Sequence, residues 1–268
     1  MQTPKKKISS NFIAHPWHGI SSGKNIPEMI HAFIEVVPSD TVKYEVDKES
    51  GFLTIDRPQK FSNVMPAMYG FVPKTYCGKK VAQHCMEQTG KTDIVGDADP
   101  LDVCVLSEKD VTHGNILVEA IPIGGFRMID GGEADDKIIA VLKNDSIYGE
   151  MRDIKDLPVK VRNRLMHYFL TYKAMPGDDS YHVEITDTFN AAEAGKIIEL
   201  SIEDYNNEFS GLSWMTWLRY AARPKSTIAA TAQHTPTIFC VLSFSLKNNA
   251  ETKTEPNTME TLLTGKNA

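Results

Sequence analysis

The sequence predicts an α+β domain with a small closed sheet and helices to one side. Two observations carry this: a run of short β-rich segments through the first half of the chain, and a change to helical spacing after about residue 156. A third, an acidic motif GDADPLDV that feeds an apolar strand, marks where the chemistry should sit.

Residues 1–27 hold no acidic side chain, carry Lys5, Lys6 and Lys7, and include Pro4, Pro16 and Pro27, which discourage a long helix. They read as an N-terminal basic arm, with an organellar transit peptide as the alternative. From His31 the texture becomes strand-like. Phe33–Val37, Val42–Val46 and Phe52–Ile55 are short and β-rich, separated by Pro38-Ser39-Asp40 and Ser50-Gly51. Tyr76 to Val95 is polar and irregular and reads as a long loop, of the kind that is usually functional or a surface insertion. Strands are expected again at Asp102–Leu106, Ile116–Ile123, Phe126–Ile129 and Lys137–Leu142. Val161, Leu165, Tyr168 and Tyr172 then recur at helical spacing, with Asp156 and Pro158 as a start signal. A second helix should open at Asn190, with Glu193 three residues on as in a capping box, and run to Phe209. The tail from 210 to 268 loses this patterning and reads as a C-terminal extension, in part disordered, with Trp214, Trp217 and Tyr220 able to dock a short segment.

Composition narrows the function. A length of 268 residues with 41% hydrophobic and 24% charged side chains permits a real core. No run approaches the ~20 apolar residues of a membrane helix. The formal net charge is −6, and residues after 209 carry 6 basic and 3 acidic side chains, so the body is the acidic part. That argues against a nucleic-acid groove. An acidic body that binds an anion needs metal ions or a focused set of cations. The four cysteines match neither a zinc pattern nor a disulfide scaffold, and point to a reducing, cytoplasmic compartment.

Asp97, Asp99 and Asp102 fall within six residues. Gly96 allows a tight turn, and Pro100 favours an extended Asp99. If the segment is extended, Asp97 and Asp99 share a face. Three aspartates so close repel one another unless cations lie between them, and hard oxygen donors suit magnesium, manganese or calcium. An EF-hand is excluded by Leu101 and Asp102, which stand where an oxygen ligand and the glycine would be needed. A solvated acidic turn remains the plain alternative for this motif alone. A second cluster, Asp130, Glu133, Asp135, Asp136 and Lys137, follows the strand ending at Ile129. Two carboxylate clusters at strand ends can hold several divalent ions, an arrangement used for displacement at phosphorus.

Taken together, these segments resemble the family I soluble inorganic pyrophosphatases. GDADPLDV looks like the family's signature. EVVPSDTVKYEVDKESGFLTIDR resembles its entry strands, MPAMYGFVPKTY the next segment, DGGEADDKIIAV the second metal segment, and HYFLTYK the helix that ends in a phosphate-binding Tyr-Lys pair. The likeness covers roughly residues 28–209, in family order.

The resemblance implies an OB-like five-stranded closed β-barrel flanked by two C-terminal helices. It implies Asp97, Asp102 and Asp135 as magnesium ligands, Asp130 as completing a further site, and Glu35 and Glu45 as outer ligands through water. Lys43, Arg57, Tyr69, Lys137, Tyr172 and Lys173 become substrate contacts, and Asp99 the catalytic base. The implied reaction is hydrolysis of diphosphate to two orthophosphates by a metal-bound hydroxide, with several magnesium ions per site and manganese as a substitute. The implied partners are the small-molecule substrate and further copies of the chain in a homo-oligomer, with no nucleic acid and no membrane.

The chain departs from the pattern at Ala98, Met65 and Gly131, where a small polar residue or glycine, an aromatic and an acid are usual. The rival functions are a binding module with vestigial carboxylates and a general phosphomonoesterase. His15, Trp17 and His18 read as a packing arm, and Cys104 as an inert buried thiol.

Overall fold

The computed structural model describes residues 13–173 and 182–210. The expected extension from 210 lies outside the described residues except for Ser210. The strands are β1 Ile30–Val36, β2 Val42–Val46, β3 Leu53–Pro58, β4 Met68–Phe71, β5 Val95–Gly96, β6 Asp102–Leu106, β7 Ile116–Asp130, β8 Glu133–Ala134, β9 Lys137–Leu142 and β10 Val183–Asn190. The helices are α1 Lys79–Thr89, α2 Val159–Thr171 and α3 Ala191–Phe209, with a single 3₁₀ turn at Ile154–Asp156.

The main sheet runs β1-β4-β6-β9-β7-β8-β5, with β10 on β7. β1 is hydrogen-bonded to β4 along one edge and to β7 along the other. β6 and β9 are parallel, and the remaining long pairings are antiparallel. β2 and β3 form a separate hairpin in which Lys43 faces Arg57.

Strand alternation divides the core. Val103 and Val105 of β6 with Ile138 and Ala140 of β9 pack with Val81 and Cys85 of α1 and Ile197 and Ile198 of α3. Cys104 and Leu106 with Ile139 and Val141 pack with Leu165, Tyr168 and Phe169 of α2. β6 and β9 are therefore buried on both faces, as their near-continuous apolar sequence allows. The helices cover both faces rather than one side.

Four further expectations change. The Tyr76–Val95 stretch is not a loop: it contains α1. Its N-terminus carries Gly78 and no local side-chain cap. Asp204 of α3 instead reaches across, and its carboxylate accepts the Gly78, Lys80 and Val81 N–H groups. There are thus three helices among the described residues, not two. The two strands expected at 116–123 and 126–129 are one, β7, with an irregularity between Pro122 and Gly124 where its ladder to β9 shifts register. β4 and β10 are strands that the periodicity did not single out. α3 does open at Asn190, whose side chain accepts the Glu193 N–H at 3.0 Å. The return half of the box is missing, because the Glu193 carboxylate is taken by Arg127 and His84.

Candidate active site

One cavity of about 210 Å³ gathers the metal, substrate and base candidates, Glu35, Lys43, Glu45, Arg57, Tyr69, Asp97, Asp99, Asp102, Asp130, Asp135, Lys137, Tyr172 and Lys173, but not Asp136 of the second acidic cluster. They arrive from β1, the β2–β3 hairpin, β4, the loop into β6, the β7–β9 connection and the end of α2.

The floor is built on Lys137, the first residue of β9. Its ammonium forms ion pairs with both Asp102 and Asp135. Asp102 also accepts the Tyr69 hydroxyl at 2.5 Å. Around this centre, each remaining cation rests on an acid. Lys173 pairs with Asp130, and Lys48 pairs with Asp99. Lys43 lies 2.9 Å from Glu45 and 3.1 Å from Asp56, and Asp56 also pairs with Arg57. The end of α2 that presents Tyr172 and Lys173 is held by Lys60, which donates to the Lys173 carbonyl, and by Asn63, which donates to the Thr171 carbonyl.

Local backbone explains the motif residues. Gly96 is required by approach rather than by a turn: a Cβ there would lie 2.2 Å from the Cys77 carbonyl oxygen. Ala98 adopts a left-handed conformation, φ 60°. Asp97 and Asp99 therefore do not share a face as an extended segment would require; the Asp97 carboxylate turns back and accepts the Asp99 N–H at 3.0 Å. A left-handed residue explains why glycine or a small polar residue is usual here. Gly131 and Gly132, both at positive φ, form the two-residue turn between β7 and β8.

Electrostatically the acids outweigh what the cations satisfy. Burial, reinforced by the charges of Asp135 and Asp102, pushes the Asp97 carboxyl up to about 8. Burial also raises Glu35 to about 8, against the hydrogen bond it accepts from the Val46 N–H. Burial raises Asp135 to about 6, with Lys137 opposing. Burial alone would lower Lys43 and Lys137, but their carboxylate partners outweigh it and both are raised. Tyr69 is held protonated by burial and by the neighbouring Asp102 charge.

Among the described residues, no three Asp, Glu, His or Cys side chains are gathered closely enough to hold a metal ion as they stand. Asp99, Asp102, Asp130 and Asp135 are each engaged by an ammonium group instead. The donor set nevertheless fits a hard divalent cation. It is all oxygen, and a bound cation would offset the burial and the neighbouring charges that push the Asp97 carboxyl up.

Sequence reasoning missed Lys48, Asp56, Gln59, Trp17, Tyr168 and Phe169. All of these but Asp56 line the cavity, as does Glu133 of the second acidic cluster. Asp56 was adjacent to Arg57 in the strand motif and Lys48 lies in the same hairpin as Lys43, so proximity in sequence was the available signal. Behind the cavity, Asp136 points away from Asp135 and Lys137 and forms an ion pair at 3.3 Å with buried Arg127. Arg127 in turn reaches Glu193 at 2.5 Å, which lies 2.6 Å from His84.

Comparison with known proteins bears on this arrangement. A family model described as Inorganic pyrophosphatase matches residues 32–206. An inorganic pyrophosphatase of Chlamydia muridarum is 51% identical over 201 residues, covering 74% of this chain and 96% of its own. Soluble inorganic pyrophosphatase 2 of Chlamydomonas reinhardtii is 35% identical over 73% of this chain and 91% of its own. The crystal structure of the Thermus thermophilus inorganic pyrophosphatase superposes with a TM-score of 0.61 at 29% identity, over 72% of this chain and 99% of that one. With a family model spanning well over half its length and relatives above the level at which homology is secure, the chain belongs to the family I soluble inorganic pyrophosphatases.

Proposed function

We propose that this chain hydrolyses inorganic diphosphate to two orthophosphates in a magnesium-dependent reaction. The observation that carries this is the convergence of five separate sequence segments on one cavity that holds both a surplus of carboxylates and a ring of cations. Asp97, Asp102 and Asp135, with Asp130 at a further position, are the residues that would hold magnesium, and Glu35 and Glu45 would hold its water ligands. Magnesium bound there supplies neutralisation of the phosphate charge and acidification of water, and manganese is the expected substitute.

The protein's own groups do the rest. Lys43, Arg57, Lys137 and Lys173 bind and orient the phosphate oxygens, and the Tyr69 and Tyr172 hydroxyls donate to them. Substrate oxygens would draw these cations off Glu45, Asp56, Asp135 and Asp130, freeing the carboxylates. Asp99 is the base for the attacking water. It lies at the cavity edge beside Lys48, outside the Asp102–Lys137–Asp135 centre, which suits a proton acceptor better than a ligand.

The strand circuit β1–β4–β6–β9–β7, with β1 bonded at both edges, supports reading the sheet as a five-stranded OB-like closed barrel. We assign residues 28–209 to the catalytic domain and 210–268 to an extension, and expect a cytoplasmic homo-oligomer that binds neither nucleic acid nor membrane. No described helix is long and apolar enough to cross a membrane.

Phosphate release from diphosphate and from a phosphomonoester, each with magnesium and with excess chelator, tests the reading. Release from diphosphate alone, and only with magnesium, is expected. Equal release from both substrates would point to a general phosphatase, and no release to a binding module.

A further inference from the structure

Residues 13–27 precede the segment matched by the family model, which begins at residue 32. Trp17 nevertheless forms part of the cavity wall and is 4% exposed. Its indole N–H donates to the Thr75 carbonyl at 2.8 Å, and its own carbonyl accepts the Lys74 N–H at 2.9 Å. Thr75 is fully buried, and its hydroxyl oxygen accepts the Leu101 N–H at 2.9 Å while donating to the Val72 carbonyl. Two residues further on, the Cys77 N–H donates to the Asp99 carbonyl at 2.8 Å, and the Cys77 carbonyl accepts the Ala98 N–H at 3.2 Å. The segment 74–77 is therefore clamped between Trp17 on one side and the backbone of the aspartate loop on the other.

The arm also reaches the opposite rim. A Cβ on Gly51, in the turn of the β2–β3 hairpin, would meet the His15 ring at 2.8 Å, so arm and hairpin turn are in close contact. That turn carries Lys48, which pairs with Asp99. His18 stacks on Trp17 at 4.5 Å, lies 2.8 Å from the Tyr205 hydroxyl, and the Phe209 ring packs edge-on against both arm rings.

We propose that this arm is part of the catalytic apparatus, with Trp17 a positioning residue that holds the Asp97–Asp102 loop through Thr75. The inference rests on the diphosphatase reading for what the loop does. Its geometry puts the same demand on the loop as hydrogen-bonded supports put on ligating side chains elsewhere: a loop of mutually repelling aspartates keeps a cation-receiving shape only if its backbone is fixed.

Full-length Trp17→Phe and Trp17→Ala are compared with the parent by calorimetric magnesium titration, by diphosphate turnover against magnesium and pH, and by thermal unfolding. Trp17→Phe keeps an aromatic ring but loses the N–H to Thr75. It should need about three- to tenfold more magnesium for half-saturation, less than the roughly 10–100-fold typical of a partner bonded directly to a ligand because Trp17 acts one step further out through Thr75, and recover most of its turnover when magnesium is saturating. Trp17→Ala should shift further. If the folded variants keep the parent's magnesium isotherm and pH profile, whatever their melting temperatures, Trp17 is packing only and the proposal fails. Should Trp17→Ala not fold, Trp17→Phe decides. Absence of turnover in the parent would sink the functional reading instead, and the isotherms would still test this one.

Discussion

Two charge clusters sit back to back across the short segment Asp135-Asp136-Lys137. The front cluster faces the cavity, where Asp102 and Asp135 share Lys137 as their central cation and Asp97 and Glu35 lie in the same lining. The rear cluster is Asp136, Arg127, Glu193 and His84, packed between the sheet, α1 and α3. Both are buried, yet they differ in what they leave unbalanced. At the rear the buried guanidinium bridges two carboxylates. Glu193 is held below the usual carboxylate range, its partners His84 and Arg127 outweighing its burial, while burial raises Asp136 to about 7 with Arg127 opposing. The front differs in its pairing: burial, with neighbouring carboxylates adding to it, drives Asp97 and Glu35 up to about 8, and neither forms an ion pair with a cation among the described residues. Neighbouring carboxylates thus have different settings, the rear as a structural tie and the front as the site where the proposed function puts a mobile cation.

The largest test of this contrast is substitution at the front. Asp102→Asn removes the carboxylate that joins Lys137 and Tyr69, and should weaken magnesium binding and activity together. Asp99→Asn should leave magnesium affinity nearer normal and lower turnover roughly 10²–10⁴-fold, with part of the loss recovered as pH rises. Steady-state rates and magnesium titrations on both variants check the pair; loss of magnesium binding in Asp99→Asn with turnover intact at saturating metal would make Asp99 a ligand instead of the base.

At the rear the signature should reverse. Arg127→Met strands two acids, and breaking a buried pair in this way costs about 3–5 kcal/mol of stability. Denaturant unfolding should show that loss, while the protein that remains folded keeps a near-parental magnesium requirement.

pH sharpens the contrast further. An acid whose native pKa is raised holds its proton more tightly when folded, so the stability it contributes is present at acid pH and declines as pH rises towards the native value. For Asp97 and Glu35 that window runs from the ordinary 3.8 and 4.5 up to about 8, and for Asp135 up to about 6. Asp136 at the rear, raised to about 7, adds to the same fall, so the part that magnesium restores is the front's. In chelator, the melting temperature should therefore fall between about pH 5 and 8, and magnesium should restore it most at the upper end. A melting temperature flat across that range in chelator would mean the front acids are not under strain.

The smallest effect is expected at Ala98. Its left-handed backbone costs roughly 1 kcal/mol for a residue with a Cβ, so Ala98→Gly should be neutral to slightly stabilising with activity retained. Unfolding curves for that variant check it; clear destabilisation would mean the methyl group packs usefully.

The front cluster was legible because its residues lie in short contiguous stretches, Asp97–Asp102 and Asp130–Lys137, whose like charges have no plain structural explanation. The β2 and β9 boundaries and the Asn190 cap were legible for the same reason: their signals are local. α1 was not, since Gly78 offers no cap and the carboxylate that satisfies its N-terminus comes from Asp204, more than a hundred residues away. The turn at Ala98 was misread because Pro100 speaks only for the residue before it. The rear tie was invisible as well; Glu193 looked like half of a capping box, and only the approach of β7 to α3 shows that Arg127 claims it.

The central claim is that burial and mutual repulsion hold Asp97 and Glu35 partly protonated until a cation offsets them. Calorimetric magnesium titration near pH 7, repeated in buffers of different ionisation enthalpy, measures the protons exchanged on binding. Net release is predicted, because Asp97 and Glu35 must shed protons when the cation arrives. Magnesium binding with no proton release, or no binding at all, would contradict it.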